Sequence, residues 1–435
     1  MRKINKYLIA FLTVASFPAG MTAQEKLIIL NEGLWQADNG KITYFEDGEI
    51  ISNEWFRENN GYKLGDTPND IIQVNDNLIA MAVNWSNIVQ FITPGGKAVA
   101  ATEDVPNNRK LATDRNNYVF VTSYAHEVAI DGNYREFEKG YVAKIDVRTF
   151  KVVDAVEVGY EPEGIAYYNG YLFVANTGGY AFQESHEYDT TVSVIDAATM
   201  NVVRTVDTGQ INLYGKMSQS GRYLCINSPG DYYETPAATL IFDCQAVLDE
   251  KSDSQCYHSL EYASTYNTVD REGNFYAIGS RYSYFTGEYE FNYVHINPSL
   301  LFESEEYSGV DEEFPGSMSE DIRSMAMPYG LYVNPYTGYI YATDAASFTS
   351  AGQLYQWTPE GELAGTYKVY INPAHFLALP PDGKFEDGTT AIPSVQTVAA
   401  PDVIFNLQGI RVENPVPGQL YIKNGKKFIY KDLIQ

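Results

Sequence analysis

GYVAKIDVRTFKVVDAVEVG, residues 140–159, overlays TTVSVIDAATMNVVRTVDTG, residues 190–209, at an offset of 50. Val142, Ile145, Asp146, Thr149, Val152, Val153, Val156 and Gly159 recur as Val192, Ile195, Asp196, Thr199, Val202, Val203, Val206 and Gly209. Self-similarity at a fixed period of this size signals a repeat architecture in which each unit buries its apolar face on the next. Each copy reads as two short β-rich runs around a polar turn, which is a hairpin. A second hairpin precedes each. In PEGIAYYNGYLFVAN (162–176) two apolar runs flank Asn169-Gly170, the strongest short-range hairpin signal. PYGLYVNPYTGYIYATD (328–344) and PNDIIQVNDNLIAMAVN (68–84) repeat that pattern, and weaker copies turn at Asn116-Asn117, Ser220-Gly221 and Glu272-Gly273.

Each unit therefore has four strands, A to D, and six units start near residues 68, 109, 162, 214, 264 and 328. Two pieces remain. Residues 26–56 supply three runs, at 27–30, 42–45 and 50–56, and residues 373–379 supply one. Three strands from one end and one from the other complete a seventh unit, and a ring closed this way leaves no sheet edge open. The expected fold is all-β: a seven-bladed β-propeller over residues 24–379, closed by N- and C-terminal strands in one blade. Eight blades or a two-sheet sandwich are the alternatives. Residues 380–393 read as a Pro-, Gly- and acid-containing linker. Residues 394–435 read as a small separate β module with a hairpin turn at Asn424-Gly425.

At the other end, Met1 to Lys6 are basic and Tyr7 to Ala15 apolar, followed by small residues up to Ala23. This is the layout of a secretory signal peptide over residues 1–23; its apolar run is too short for a spanning helix of about 20 residues. The expected location is secreted, or associated with the outer-membrane surface. The formal net charge of −26 repels phosphate backbones, so nucleic acid is excluded as a partner, and a neutral or cationic ligand is favoured. A soluble monomer is expected. Of three cysteines, Cys225 sits in an apolar strand pattern, while Cys244 and Cys256 could bridge across one hairpin in an oxidising compartment. The five histidines are scattered without metal-ligand spacing, so neither a metal nor a cofactor is expected.

In a four-stranded blade the B–C and D–A loops share one face, and here the A–B turns on the other face are tight. The B–C loops are mostly long and aromatic, and across the whole sequence Tyr is the dominant aromatic, 36 against 21 Phe. Loops on a rigid scaffold are where binding lives, and Tyr and Trp combine large contact area with a polar handle. One ring from each B–C loop gives a candidate contact set of Trp35, Trp85, Tyr124, Tyr180, Tyr232, Tyr282 and Phe348. Asn84, Asn176, Asn227, Arg281 and Asp344 would orient a ligand's polar edge. A broad, flat, polar-rimmed small molecule, a glycan or a peptide suits such a mouth. The alternatives are a metal-dependent propeller enzyme of the lactonase or lyase type, for which Asp38, Glu163, Asp231 and Asp344 are isolated candidate acids without a motif, and a surface interaction protein.

The repeats resemble YncE-like propellers and lack the Gly-His and Trp-Asp signature of WD40 repeats. Leu30-Asn31-Glu32-Gly33, residues 59–66, Asn84-Trp85-Ser86-Asn87-Ile88 and Pro373-Ala374-His375-Phe376 carry a closer resemblance to the surface propellers of Bacteroides-type bacteria, covering residues 26–379. Some members of that group capture vitamin B12 for an outer-membrane transporter and are lipid-anchored through an N-terminal cysteine; no cysteine lies near the expected cleavage point here. The resemblance implies a corrinoid as first candidate ligand and a TonB-dependent transporter as partner. Residues 406–412, 418–421 and 426–427 resemble a short form of the C-terminal sorting domains of type IX secretion substrates.

Overall fold

The computed structural model describes residues 25–183, 185–231, 234–283, 288–303 and 309–381, with residues 404–405, 411–412, 416, 420–423 and 426–429 beyond them. The expected signal peptide, most of the linker and much of the tail lie outside the described residues.

Seven four-stranded antiparallel sheets form a seven-bladed β-propeller. The innermost strands of blades one to six are Pro68–Asn75, Asn108–Thr113, Pro162–Tyr168, Tyr214–Ser220, Tyr266–Val269 and Pro328–Val333. The seventh blade is built from both ends of the ring. Pro373–Leu379 is its innermost strand, followed outward by Lys26–Asn31, Lys41–Glu46 and Glu49–Ser52. Leu27 pairs with Ala378 and Leu30 with His375, the closure that strand counting anticipates.

Second and third strands lie between neighbouring blades and bury both faces, so they read as unbroken apolar runs: Leu78–Val83 and Tyr141–Asp146 are buried throughout. Outermost strands face water on one side and alternate, as Leu363–Ile371 does. Asn169 and Gly170 both have positive φ, at 49° and 87°, the two-residue geometry whose twist matches its flanking strands.

Three loops differ from expectation. The run at 50–56 breaks after Ser52, and Phe56 is buried from a short helix, Trp55–Asn60, that stacks Trp55 on Tyr44 at 4.8 Å. Between Ser123 and Gly140 the chain forms its own hairpin, Glu127–Ile130 with Asn133–Glu136, turned by Asp131 and Gly132 at positive φ. Residues 279–291 are mostly strand rather than loop, since Phe275–Ser283 pairs with Glu288–Ile296 as far as Ser283 opposite Glu288.

Cys225, Cys244 and Cys256 are buried free thiols; the Cys256 Sγ lies 3.3 Å from the Ser252 carbonyl rather than bonding to Cys244. In the C-terminal stretch Ile404–Phe405, Arg411–Val412, Leu420–Lys423 and Lys426–Ile429 pair as one sheet of their own. Among the described residues no helix is long and apolar enough to cross a membrane.

Candidate functional site

One local device, repeated around the ring, builds the centre of the molecule. Near its start the innermost strand holds one or two more residues than its partner in six blades: between Pro68 and Asp70, Asn108 and Leu111, Pro162 and Ile165, Tyr214 and Ser218, Pro328 and Leu331, and Pro373 and His375. A β-bulge kinks its strand and re-aims the side chains within it. Arg109, Lys110, Glu163, Lys216 and Tyr329 lie inside these bulges, and Asp70 and His375 border them. Glycine allows the close approach this needs. Gly330 has a φ of 84°, and a Cβ there would meet the Ala374 carbonyl oxygen at 2.8 Å.

The side chains form a paired network at the ring's axis. Arg109 of blade two grips Glu163 of blade three with two bonds, Nε to Oε2 at 2.8 Å and Nη2 to Oε1 at 3.2 Å. The Tyr124 hydroxyl donates to the same carboxylate, Lys110 Nζ lies 3.7 Å from it, and the Arg109 guanidinium sits over the Tyr124 ring at 4.5 Å. Lys216 of blade four reaches Asp70 of blade one at 2.8 Å; these blades are not adjacent, so the pair meets across the axis. Asp70 also accepts the backbone N–H groups of Ile71 and Leu111. On the opposite wall His375 Nε2 lies 2.8 Å from Glu32, whose other oxygen accepts the Tyr329 hydroxyl at 2.6 Å.

Burial alone would raise all three carboxyls, but their partners outweigh it. Arg109 and Lys110 hold Glu163 below the usual carboxylate range, Lys216 and Lys110 do so for Asp70, and His375 and Tyr329 for Glu32. Burial, helped by the Lys110 charge, pushes the His375 imidazole down against the opposing pull of Glu32. A neutral His375 therefore donates from Nε2 to an ionised Glu32.

Beside this network a cavity of about 270 Å³ runs along the innermost strands of blades four to six and the closing blade, lined among others by Glu32, Lys216, Tyr214, Tyr266, Tyr329 and His375. Lys110 of blade two also reaches the cavity; the Arg109–Glu163 pair, and Asp70 of the Lys216–Asp70 pair, lie on the side of blades one to three. Tyr266 meets Tyr329 edge-on at 5.4 Å, and Tyr329 meets Phe348 at 5.6 Å, so one aromatic wall links the cavity to the B–C face.

Those residues singled out from sequence whose side chains are described divide into three groups. Trp35, Trp85 and Phe348 are exposed, at 65%, 48% and 39%, and the two indoles touch edge to face across neighbouring blades at 5.1 Å. Tyr124 is buried in the axial network and meets Tyr180 at 5.4 Å. The polar set turns inward. Asn84 donates to Asn107 Oδ1 and the Asn108 carbonyl, and Asn176 to Thr191 and Ser193. Asn227 bonds Thr265, Ser264 and Asn267, and Asp344 accepts the N–H groups of Ala326, Met327 and Ala346. All four are buried where the second strand ends, so their hydrogen-bonding capacity fastens the loops. Tyr232 lies outside the described residues, as do the side chains of Arg281 and Tyr282, whose backbone belongs to the long hairpin.

Of the isolated acids, Glu163 is the buried hub of the axial network. Asp38 pairs with Lys63 at the surface, and Asp231 accepts the Thr235 N–H in its own loop. Sequence reading missed Glu32, Asp70, Arg109, Lys110, Lys216, Tyr329 and His375. Aligning the six repeats on their first strand places five of these at its second or third residue, where a polar or charged group interrupts an apolar run.

No protein-family model matches the sequence, and no curated protein matches it. Among solved structures, a chain of the hydrazine synthase of Kuenenia stuttgartiensis is similar over 73% of this chain and 91% of its own, at 14% identity and a TM-score of 0.53. A quinonprotein alcohol dehydrogenase-like protein of Bacteroides thetaiotaomicron matches 80% of this chain and 77% of its own at 11% identity and a TM-score of 0.49. Virginiamycin B lyase of Staphylococcus aureus matches 72% and 92% at 10% identity and a TM-score of 0.47. At such identities the likeness to the hydrazine synthase chain shows a shared propeller fold and nothing about chemistry.

Proposed function

We propose that this chain is an exported ligand-capture propeller that binds a flat, polar-rimmed small molecule over the B–C mouth of its axial cavity. The observation that carries this is the mouth itself. The exposed indole pair of Trp35 and Trp85 and the exposed Phe348 share a face with the D–A loops, and the Phe348–Tyr329–Tyr266 wall leads down to a cavity edged by paired charges. Exposed rings offer stacking area at low entropic cost, and hydroxyl and amine groups below can fix a polar edge. A corrinoid is the first candidate ligand, from the resemblance of the repeats, and a glycan the second. On this reading the N-terminal 23 residues direct export and the C-terminal module serves sorting. A TonB-dependent transporter is then the partner that receives the ligand.

The test is titration of cyanocobalamin and a glycan panel against the wild type and Trp85→Ala. Loss of one exposed anchor ring should weaken binding by about 2 kcal/mol. Equal affinity of the two proteins would remove the mouth from the account.

One observation favours a second reading, a propeller enzyme. Glu32 orients a neutral His375 at the cavity wall, and a carboxylate-oriented imidazole is a general-base arrangement. A panel of lactones would test it: turnover abolished in His375→Ala with folding intact would favour hydrolysis over capture.

A further inference from the structure

A second cavity, of about 380 Å³, opens between the B–C loops of blades two and three and is separate from the axial cavity. Its walls include Tyr124, Tyr160, Tyr180, Glu138, Glu161 and His186. Glu161 immediately precedes the innermost strand of blade three, and only 3% of its side chain is exposed; His186, from the facing loop, is 11% exposed.

The hydrogen-bonding arithmetic at His186 is unusual. Nδ1 lies 2.9 Å from the Glu187 carbonyl oxygen, which can only accept, so Nδ1 carries the hydrogen. In the neutral ring Nε2 is then a bare lone pair. It is buried, makes no hydrogen bond, and lies 3.4 Å from Glu161 Oε2. Two acceptors facing each other out of water are unfavourable; a proton on the imidazole would turn the contact into an ion pair, and a positively charged donor placed between them relieves it as well. The His186 ring is held there by stacking on Tyr160, with centroids 4.0 Å apart and planes 11° apart. Glu161 Oε2 is fixed by the Tyr180 N–H at 3.2 Å.

We propose that this cavity binds a primary alkylammonium group, whose N–H donors bridge Glu161 Oε2 and His186 Nε2 while its alkyl chain lies among the rings of Tyr124, Tyr160 and Tyr180. Aromatic faces attract cations: Arg109 already lies over the Tyr124 ring at 4.5 Å and Lys139 over the Tyr160 ring at 4.7 Å, which leaves Tyr180 for the incoming group. Glu138 adds a second carboxylate to the wall, and the net charge of −26 draws cations toward the surface. A metal ion fits less well. It needs three or more ligands at about 2.0–2.6 Å, and among the described residues no group of three His, Cys, Asp or Glu is placed to hold one.

The test is calorimetric titration of the full chain with cadaverine and with Nα-acetyl-lysine methylamide, against tetramethylammonium and zinc. Either primary amine should bind about tenfold or more tightly than tetramethylammonium, which has no N–H to donate. The tighter of the two assigns a free amine or a lysine side chain as the source. Glu161→Gln, whose amide oxygen still accepts from Tyr180, should weaken amine binding about tenfold or more. His186→Phe, which keeps the stack on Tyr160, should do the same. Both variants should melt as the wild type does and leave any ligand at the axial mouth unaffected. Amine binding that is absent, equal to that of tetramethylammonium, or indifferent to both substitutions would overturn the proposal, as would tight zinc binding lost in the same variants.

Discussion

Arg109 and Glu163 meet as a two-bond fork, Nε to Oε2 at 2.8 Å and Nη2 to Oε1 at 3.2 Å, joining blades two and three beside the propeller's axis. Both residues lie in bulges of their innermost strands, so the pair exists because the same backbone irregularity occurs in adjacent repeats. Removing one partner of a buried pair costs more than the pair contributes, because the other charge stays buried. Glu163→Gln leaves Arg109 and Lys110 without their shared counter-charge and should destabilise the ring by about 3–5 kcal/mol. The double variant Arg109→Gln/Glu163→Gln should lose less than the sum of the singles, because each single leaves a charge stranded. Urea denaturation of the four proteins checks both statements.

The axial network also sets a pH dependence. The folded pKa of His375 lies below its unfolded value near 6.5, so the unfolded chain binds the extra proton first. Its contribution to stability is complete above about pH 6.5 and is lost as pH falls below that. Glu163, Asp70 and Glu32 are also depressed. Their contribution is present above the unfolded values near 4 and disappears as pH falls through the lower folded values. Melting temperature should therefore decline gently below about pH 6.5 and steeply below about pH 4. His375→Gln should flatten the upper part and leave the lower part in place. His258, lowered by burial alone, should keep a residue of the upper slope.

Closure is testable by truncation. A chain ending at Leu379 retains every strand of the ring and should melt close to the full-length protein, because among the described residues Ile404–Phe405, Arg411–Val412, Leu420–Lys423 and Lys426–Ile429 pair with one another and with no strand of the ring. A chain ending at Asn372 loses the strand that pairs with Lys26–Asn31 and exposes an innermost edge. It should fail to fold cooperatively. Circular dichroism melts of the two truncations decide the matter, and identical melts would contradict the closure.

The ring was legible because its signals are local and repeated. Asn169-Gly170 can hardly turn any other way, and the runs around it recur at a fixed spacing. The leftover strands 27–30 and 373–379 matched the gap they fill because a propeller has no tolerance for an unpaired inner edge. The short helix at Trp55–Asn60 was hidden, since an apolar run of a few residues reads alike as strand or helix. The axial network was hidden for a different reason. Lys216 and Asp70 are far apart in sequence and meet only through ring closure. Polar residues where the second strand ends, such as Asn176 and Asn227, looked like ligand contacts. Those positions are where a blade's loop backbones need side-chain partners, and the buried amides meet that need.

Hydrogen exchange read by mass spectrometry, with and without cyanocobalamin, tests the capture reading most directly. Ligand at the mouth should slow exchange in residues 32–40, 84–88 and 344–350, which carry Trp35, Trp85 and Phe348, and leave the outermost strands such as Leu363–Ile371 unchanged. Saturating cyanocobalamin that protects none of these loops, or protects only the outer strands, would contradict it.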